Sequence, residues 1–508
     1  MMKKSIALVI GLVLFVACKK NKETQTDNTN TAVYKYTTKI PSAITIPDRI
    51  QTRLGTLTFK DGFPDDSTVQ KVYDNLDFSR GVIAFLNTMP AASLAAQRTA
   101  FRKFGPDNGT VVIFETLMDS KSLFLTANTE SIYAMAWMNL KNGPVVVESP
   151  ANTLGLADDF WFHYVTDLGI AGPDKGKGGK FLFLPPNYKG KIPAGYYVCQ
   201  SNTYNVLLGT RGFVVKGDPK PGVENIKSNL RIYPLSQAAN PGQTNFFNVS
   251  GKAFNTIHSM DYNFFEEVNQ IVQEEPSAAM DAETLGLLAA IGIEKGKPFA
   301  PDARMKAILT EAAVIGNATA RANAYRTRLT EAYFYPNSAW CTPFVGGSYL
   351  FENNGVRMWD ARSFMFFYAT GITPAMTIQH VGAGSAYAAA FFDADKKSFD
   401  GSKTYKMHLP ANIPAKQFWS VVLYDNQTRS MLQTDQQFPS TGSQKAGVVV
   451  NADKSVDVYF GPKAPNGMEN NWVQTIPGKG WNIILRLYGP LEPWFDKTWR
   501  PSEIEEVK

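Results

Sequence analysis

Two carboxylates in strand-and-turn settings are the first residues here whose type and position could do chemistry. Glu130 stands in "TANTESIYA" (126–134), with Asn128, Thr129 and Tyr133 beside it, and Asp425 stands in "VVLYDNQTR". A carboxylate on a turn at the mouth of a β-fold can serve as acid, base or ligand group. Joined by a second from another strand, it supplies the pair that glycoside hydrolysis requires. The structural alternative is as definite. Asn128, Thr129 and Ser131 are turn formers whose side chains satisfy nearby backbone groups, and a Glu among them can simply accept N–H bonds.

Other residues extend the candidate site. "FHYVTD" (162–167) reads as one strand carrying His163, Tyr164, Thr166 and Asp167. On an extended strand His163 and Asp167 lie about 13 Å apart, too far for a direct dyad. Arg211 in "LLGTRGF" and Arg362 in "GVRMWDARSF" are placed to bind an anion, although Asp360 could equally pair with Arg362. Trp419, Tyr424 and Arg429 cluster near Asp425, and Trp472, Trp481, Arg486 and Tyr488 follow. Sugar sites use aromatic faces with a few polar groups. Barrel cores use the same residues, and Trp481 and Tyr488 are assigned to the core. The expected ligand-binding set is Asn128, Thr129, Tyr133, His163, Arg211, Arg362 and Trp419.

His258, His380 and His408 are scattered, without the short spacings of a zinc or iron site or the His-x-His pair of a cupin. No Gly-x-Ser-x-Gly elbow is present. The sequence therefore points to no metal and no cofactor.

The elements that must position these residues are mainly β. Between 110 and 234, short β-type runs rich in branched and aromatic residues alternate with turns, and similar runs resume after Trp359. Aromatics at 12%, with 39 Gly and 30 Pro, also favour strands and turns. A helix is expected over 65–89 and a second over 91–105, with three more between 255 and 335. The fold class is mainly β, of barrel or jelly-roll/sandwich type, with a helical segment between two β-rich halves.

The amino terminus indicates the compartment. Lys3 and Lys4, the apolar run "SIALVIGLVLFVA" and Cys18 after Ala17 have the order of a bacterial lipoprotein signal. Cys18 is the expected lipidation site and membrane anchor, with a bacterial cell-envelope location, periplasmic or surface-exposed. The alternative is an ordinary cleaved signal with a chance Cys. Of the formal net charge of +6, Lys3, Lys4, Lys19, Lys20 and Lys22 belong to the signal and tether, which argues against a nucleic-acid surface. Cys199 and Cys341 are 142 positions apart and are compatible with a disulfide or with two free thiols.

Two long stretches resemble known families. "TANTESIYAMAWMNLKNGPVVVESP" with "FWFHYVTDLG" resembles the domain of unknown function 1254. "FWSVVLYDNQTRSML" with the run from "KSVDVYFGP" to "PWFDKTWRPSEIE" resembles the domain of unknown function 1214. The resemblance implies a largely β architecture with a helical segment between the halves, and it implies no reaction. The expected division is a signal (1–18), a tether (19–45), a β-rich domain (46–250), a helical segment (251–335) and a second β-rich domain (336–508). The expected function is binding, with hydrolysis by Glu130 and Asp425 as an extension, of a small or oligomeric carbohydrate-like ligand between the halves. The alternative is a non-catalytic binding or assembly module of the envelope. No nucleic-acid partner is expected, and a homo-oligomer is left open.

Overall fold

Strand parity organises this molecule. In the strand Ile132–Asn139, the residues Ile132, Ala134, Ala136 and Met138 join one apolar core, while Met135 and Trp137 face a different one. Successive side chains on a strand point to opposite faces, so a strand apolar on both is covered on both. The computed structural model describes residues 34–508. They fall into two compact units, one reaching to Gln70 and the other spanning Lys71–Lys508. In the first, strands Arg49–Thr52, Gly55–Lys60 and Phe63–Pro64 form a three-stranded antiparallel sheet.

The second unit contains two sheet pairs. In the amino-terminal pair, a six-stranded sheet includes Thr110–Ile113, Ile132–Asn139, Asn205–Gly212, Leu154–Asp159 and Tyr164–Gly169. It packs on a four-stranded sheet through Val145, Val147, Phe181, Phe183 and Ile232. In the carboxy-terminal pair, the strand Trp481–Pro490 lies between Ser385–Ala390 and Ala415–Asp425, both antiparallel to it. Trp481 stacks on Phe399 with centroids 4.1 Å apart and meets Phe460 of the second four-stranded sheet at 5.3 Å. The architecture is thus β-rich and sandwich-like, with open sheets.

Helices Asn263–Glu274, Ala282–Ala290 and Ala303–Tyr325 form the helical segment between the β-rich halves. Asp302 caps the last of them by accepting from Met305 N at 2.7 Å, which satisfies an otherwise orphaned amide. The two helices expected on either side of Pro90 are one helix, Asp66–Arg102. Proline removes an amide donor and strains the preceding turn. Here Met89, Ala91, Ala92 and Leu94 are fully buried around it, and Arg362 Nη1 donates to Asn87 O at 2.8 Å. Packing on both sides outweighs the local break.

This helix and Ala303–Tyr325 approach closely at two glycines. A β-carbon on Gly316 would lie 2.6 Å from the Phe85 ring, and one on Gly81 would lie 2.8 Å from Ala312 Cβ. Phe85 cannot retreat freely, because it is fully buried and stacked on Phe264 at 4.1 Å. Gly316→Ala is therefore expected to destabilise the protein by about 1–3 kcal/mol despite its better helix propensity. Thermal or denaturant unfolding checks this, and an unchanged or raised midpoint would refute the contact.

Candidate functional site

The face of the six-stranded sheet turned away from its own sandwich looks onto a cavity of about 860 Å³. Antiparallel register sets Tyr133 opposite Arg211 and Met135 opposite Gly209, and it sets Arg211 opposite Leu154 and Gly209 opposite Leu156. All six residues line the cavity. Gly209 keeps this wall low, since a β-carbon there would have nothing nearer than Leu156 at 3.8 Å. The facing wall comes from the carboxy-terminal sheet. Tyr387 pairs with Arg486, Ser385 with Tyr488, and Phe418 with Tyr488, and all five residues line the same space. Phe418 stacks on Tyr488 with centroids 4.0 Å apart.

The segment containing Glu130 closes one end. Asn128 Oδ1 accepts from Glu130 N at 2.8 Å, an Asx-type turn, and Asn128 Nδ2 donates to Tyr488 OH at 2.8 Å. Asn128 thus braces the turn, while the Glu130 carboxyl lines the cavity and accepts from Thr129 Oγ1 at 2.7 Å. Burial raises the Glu130 pKa; the Thr129 bond and the Arg486 charge pull the other way without cancelling it. Arg486 is 2% exposed. Its Nη2 donates to Tyr424 OH at 2.7 Å and to Thr126 O at 3.1 Å, whereas Nε and Nη1 are buried without a partner among the described residues. For both Arg486 and Arg211, burial works against the charge. Phenol oxygens around them favour it: Tyr424, Tyr488 and Tyr387 for the first, Tyr133, Tyr387 and Tyr488 for the second.

Of the expected residues, Glu130, Asn128, Tyr133 and Arg211 line this cavity together. Thr129 sits behind Glu130, with its Oγ1 also 3.1 Å from Ser440 Oγ. The remainder lie elsewhere. Asp425 and Trp419 pair with Trp481 and Leu487, on the strand parity opposite to Arg486 and Tyr488, so they face away. Asp425 is ion-paired with Lys479 and accepts from Gln427 N at 2.6 Å, bracing a turn. His163 precedes its strand rather than belonging to it, and its Nδ1 lies 3.1 Å from Asp159 Oδ2. Arg362 holds the Asn87 carbonyl, and Asp360 pairs with Arg328 instead. Burial lowers the Arg362 pKa to about 10. Cys18 lies outside the described residues. Cys199 and Cys341 are buried free thiols, each pushed up to about 12 by burial. Among the described residues, no group of three His, Cys, Asp or Glu side chains is arranged to hold a metal ion.

Sequence reasoning missed Arg486, Tyr387 and Asp167 as lining residues and assigned Tyr488 to the core. A signal was present. In "WNIILRLYGP" a lone Arg interrupts an apolar strand at the same parity as Tyr488, and a fully buried arginine on a sheet requires a polar destination.

Residues 109–234 match DUF1254 and residues 384–492 match DUF1214, each described as a protein of unknown function. The solved VPA0106 protein from Vibrio parahaemolyticus is similar with a TM-score of 0.52 and 19% identity, covering 85% of this chain and 100% of that one. An uncharacterized protein from Burkholderia cenocepacia gives a TM-score of 0.40 and 12% identity over 87% of this chain and 97% of its own. The first likeness concerns the fold alone. No curated protein matches the chain.

Asp167 supplies a pH test of the site. It accepts from Thr373 Oγ1 at 3.1 Å and lies 3.5 Å from Tyr164 OH, and burial raises its pKa to about 6. Because the folded-state pKa is raised, its contribution to stability is full below the ordinary carboxylate range and is lost as pH rises through about 6. Wild type should therefore lose more thermal stability than Asp167→Asn between about pH 4 and about pH 7. Parallel curves for the two proteins would remove Asp167 from the titration.

Proposed function

We propose that this chain, in which a DUF1254 region is joined to a DUF1214 region, captures a small organic ligand in the cavity that the two regions enclose. The observation that carries the reading is the meeting of Glu130, Arg211 and Arg486 with Tyr133, Tyr387 and Tyr488 around one space of about 860 Å³. Ligand sites commonly combine a largely apolar wall with a few convergent polar groups in this size range. The three phenol rings offer aromatic faces and hydroxyls, as a carbohydrate-like ligand would use.

A second reading, hydrolysis, draws on the raised pKa of Glu130, which favours the protonated carboxyl that a general acid needs. Asp167 is the second carboxylate in the lining, since Asp425 faces away. The test is a glycan and small-metabolite screen by thermal shift on the mature protein, followed by turnover assays on each hit. A ligand at 100 times its dissociation constant should stabilise the fold by about 2.7 kcal/mol. In Glu130→Gln, retained binding with turnover reduced by about 10²-fold or more would identify an acid. Unchanged binding and turnover would remove Glu130 from the mechanism. A panel in which nothing raises the midpoint would count against the binding reading itself.

We place this binding at the bacterial cell envelope, with Cys18 acylated after signal cleavage; the order of basic, apolar and small residues before it supports this. Radiolabelled palmitate should enter the wild-type protein in bacterial cells and not Cys18→Ala. Equal labelling of both would overturn the anchor.

A further inference from the structure

Within that binding reading, on which this step rests, the polar end of the cavity has a definite sign. Arg486 is fully withdrawn from solvent, and two of its guanidinium nitrogens, Nε and Nη1, have no partner among the described residues. The third, Nη2, is occupied by two neutral oxygens, Thr126 O and Tyr424 OH. A buried cation left in this condition is costly, because each unmatched donor has given up its hydration without a replacement bond. Arg211 lines the same space with its guanidinium carbon 5.8 Å from the centroid of the Tyr133 ring. The carboxylates in the lining do not supply a counterion of equal quality. Glu130 is engaged by Thr129 and biased by burial toward its neutral form, and Asp167 is committed to Thr373 and Tyr164. The lining is mainly apolar, including Phe124, Leu156, Phe213, Met365, Met376 and Ile484, with Gln97, Thr370, Gln417 and Gln444 among its neutral polar members.

We infer that the occupant is an amphipathic carboxylate, its head group received by Arg486 and Arg211 and an apolar body laid along the two sheet faces. A carboxylate can take a charge-assisted hydrogen bond from Arg486 Nε–H or Nη1–H, which point to opposite sides of the guanidinium, while Arg211 supplies a second cation bordering the same space. Tyr387 and Tyr488 line the same cavity, and their hydroxyls are donors a carboxylate oxygen there could use. Ser385, Gly384 and the exposed segment carrying Ile378 and His380 also border the cavity, so the apolar body has a route to solvent at that side.

The test compares dodecanoate, dodecanol and glucuronate by isothermal titration calorimetry on the whole mature protein at neutral pH. The expected result is dodecanoate binding at least about tenfold more tightly than dodecanol, since a charge-assisted pair is roughly twice as strong as a neutral one. Arg486→Gln, and separately Arg211→Gln, should bring that ratio towards one. The second variant keeps the test decisive if loss of Arg486, which also holds Thr126 and Tyr424, prevents folding. Equal affinities for dodecanoate and dodecanol would overturn the anionic head group while leaving the binding cavity intact. Binding of glucuronate without dodecanoate would overturn the apolar body and favour a carbohydrate acid. If none of the three binds, the amphipathic carboxylate is excluded. The separate metabolite screen then decides whether the cavity binds anything.

Discussion

Arg486 and Tyr424 together fix the relation between the two β-rich halves. The segment from Phe124 to Glu130 carries carbonyls that are withdrawn from water and must find donors. Arg486 Nη2 reaches Thr126 O, Tyr424 OH donates to Ala127 O at 2.6 Å, and Asn128 Nδ2 reaches Tyr488 OH. Phe124 N donates to Ser430 Oγ at 3.1 Å, and Thr126 N donates to Arg429 O at 3.2 Å. The turn that presents Glu130 is therefore held largely by side chains and backbone of the carboxy-terminal half. Neither half alone could build this end of the cavity.

The cavity itself follows from how each large sheet uses its two faces. Odd positions from Trp481 to Leu487 pack into the carboxy-terminal sandwich, and Ile484, Arg486 and Tyr488 face the other half. Across the gap, Ile132, Ala134 and Ala136 fill the amino-terminal sandwich, while Tyr133 and Met135 face outward. A sheet covered on both sides ordinarily reads as continuous apolar sequence. These strands do read that way, apart from Arg211, Arg486 and the tyrosines, which mark where the second face meets an interior space instead of packed side chains.

Much of the fold was legible because its signals are local. The β-type runs between 110 and 234, the helical segment after 255 and the Asp302 cap depend on periodicity and short-range chemistry, and strands, three helices and the cap occur in those stretches. The position of Glu130 beside Asn128 and Tyr133 was also accessible, because one turn carries all three. What could not be read was parity relative to a partner sheet. Trp419 and Phe418 are equally plausible aromatics in one strand, and only pairing with Leu487 or Tyr488 decides which one sees the cavity. Asp425 fell on the wrong face for the same reason. His163 was misplaced by a tight turn in which Phe162 adopts φ +54° and Asp159 takes the amides of Trp161 and His163. Pro90 misled in the other direction, since its cost is met by tertiary packing that no local rule contains.

Glu130 feels the Arg486 charge, yet burial raises its pKa, so the carboxyl and the guanidinium do not neutralise each other fully. A tight salt bridge between them would have depressed that pKa and removed the demand for an outside anion. The turn avoids this by turning Glu130 onto Thr129 Oγ1 while Arg486 spends one nitrogen on Thr126 and Tyr424. The arrangement keeps a guanidinium and a carboxyl whose pKa burial raises in the same water-poor space. Such a pair is unstable against any rearrangement that brings the two groups together. The hydrogen bonds from Asn128 to Tyr488 and from Tyr424 to Ala127 hold the backbone that keeps Glu130 in its turn. On this reasoning, the polar network is better understood as maintaining an unsatisfied site than as adding stability to the fold.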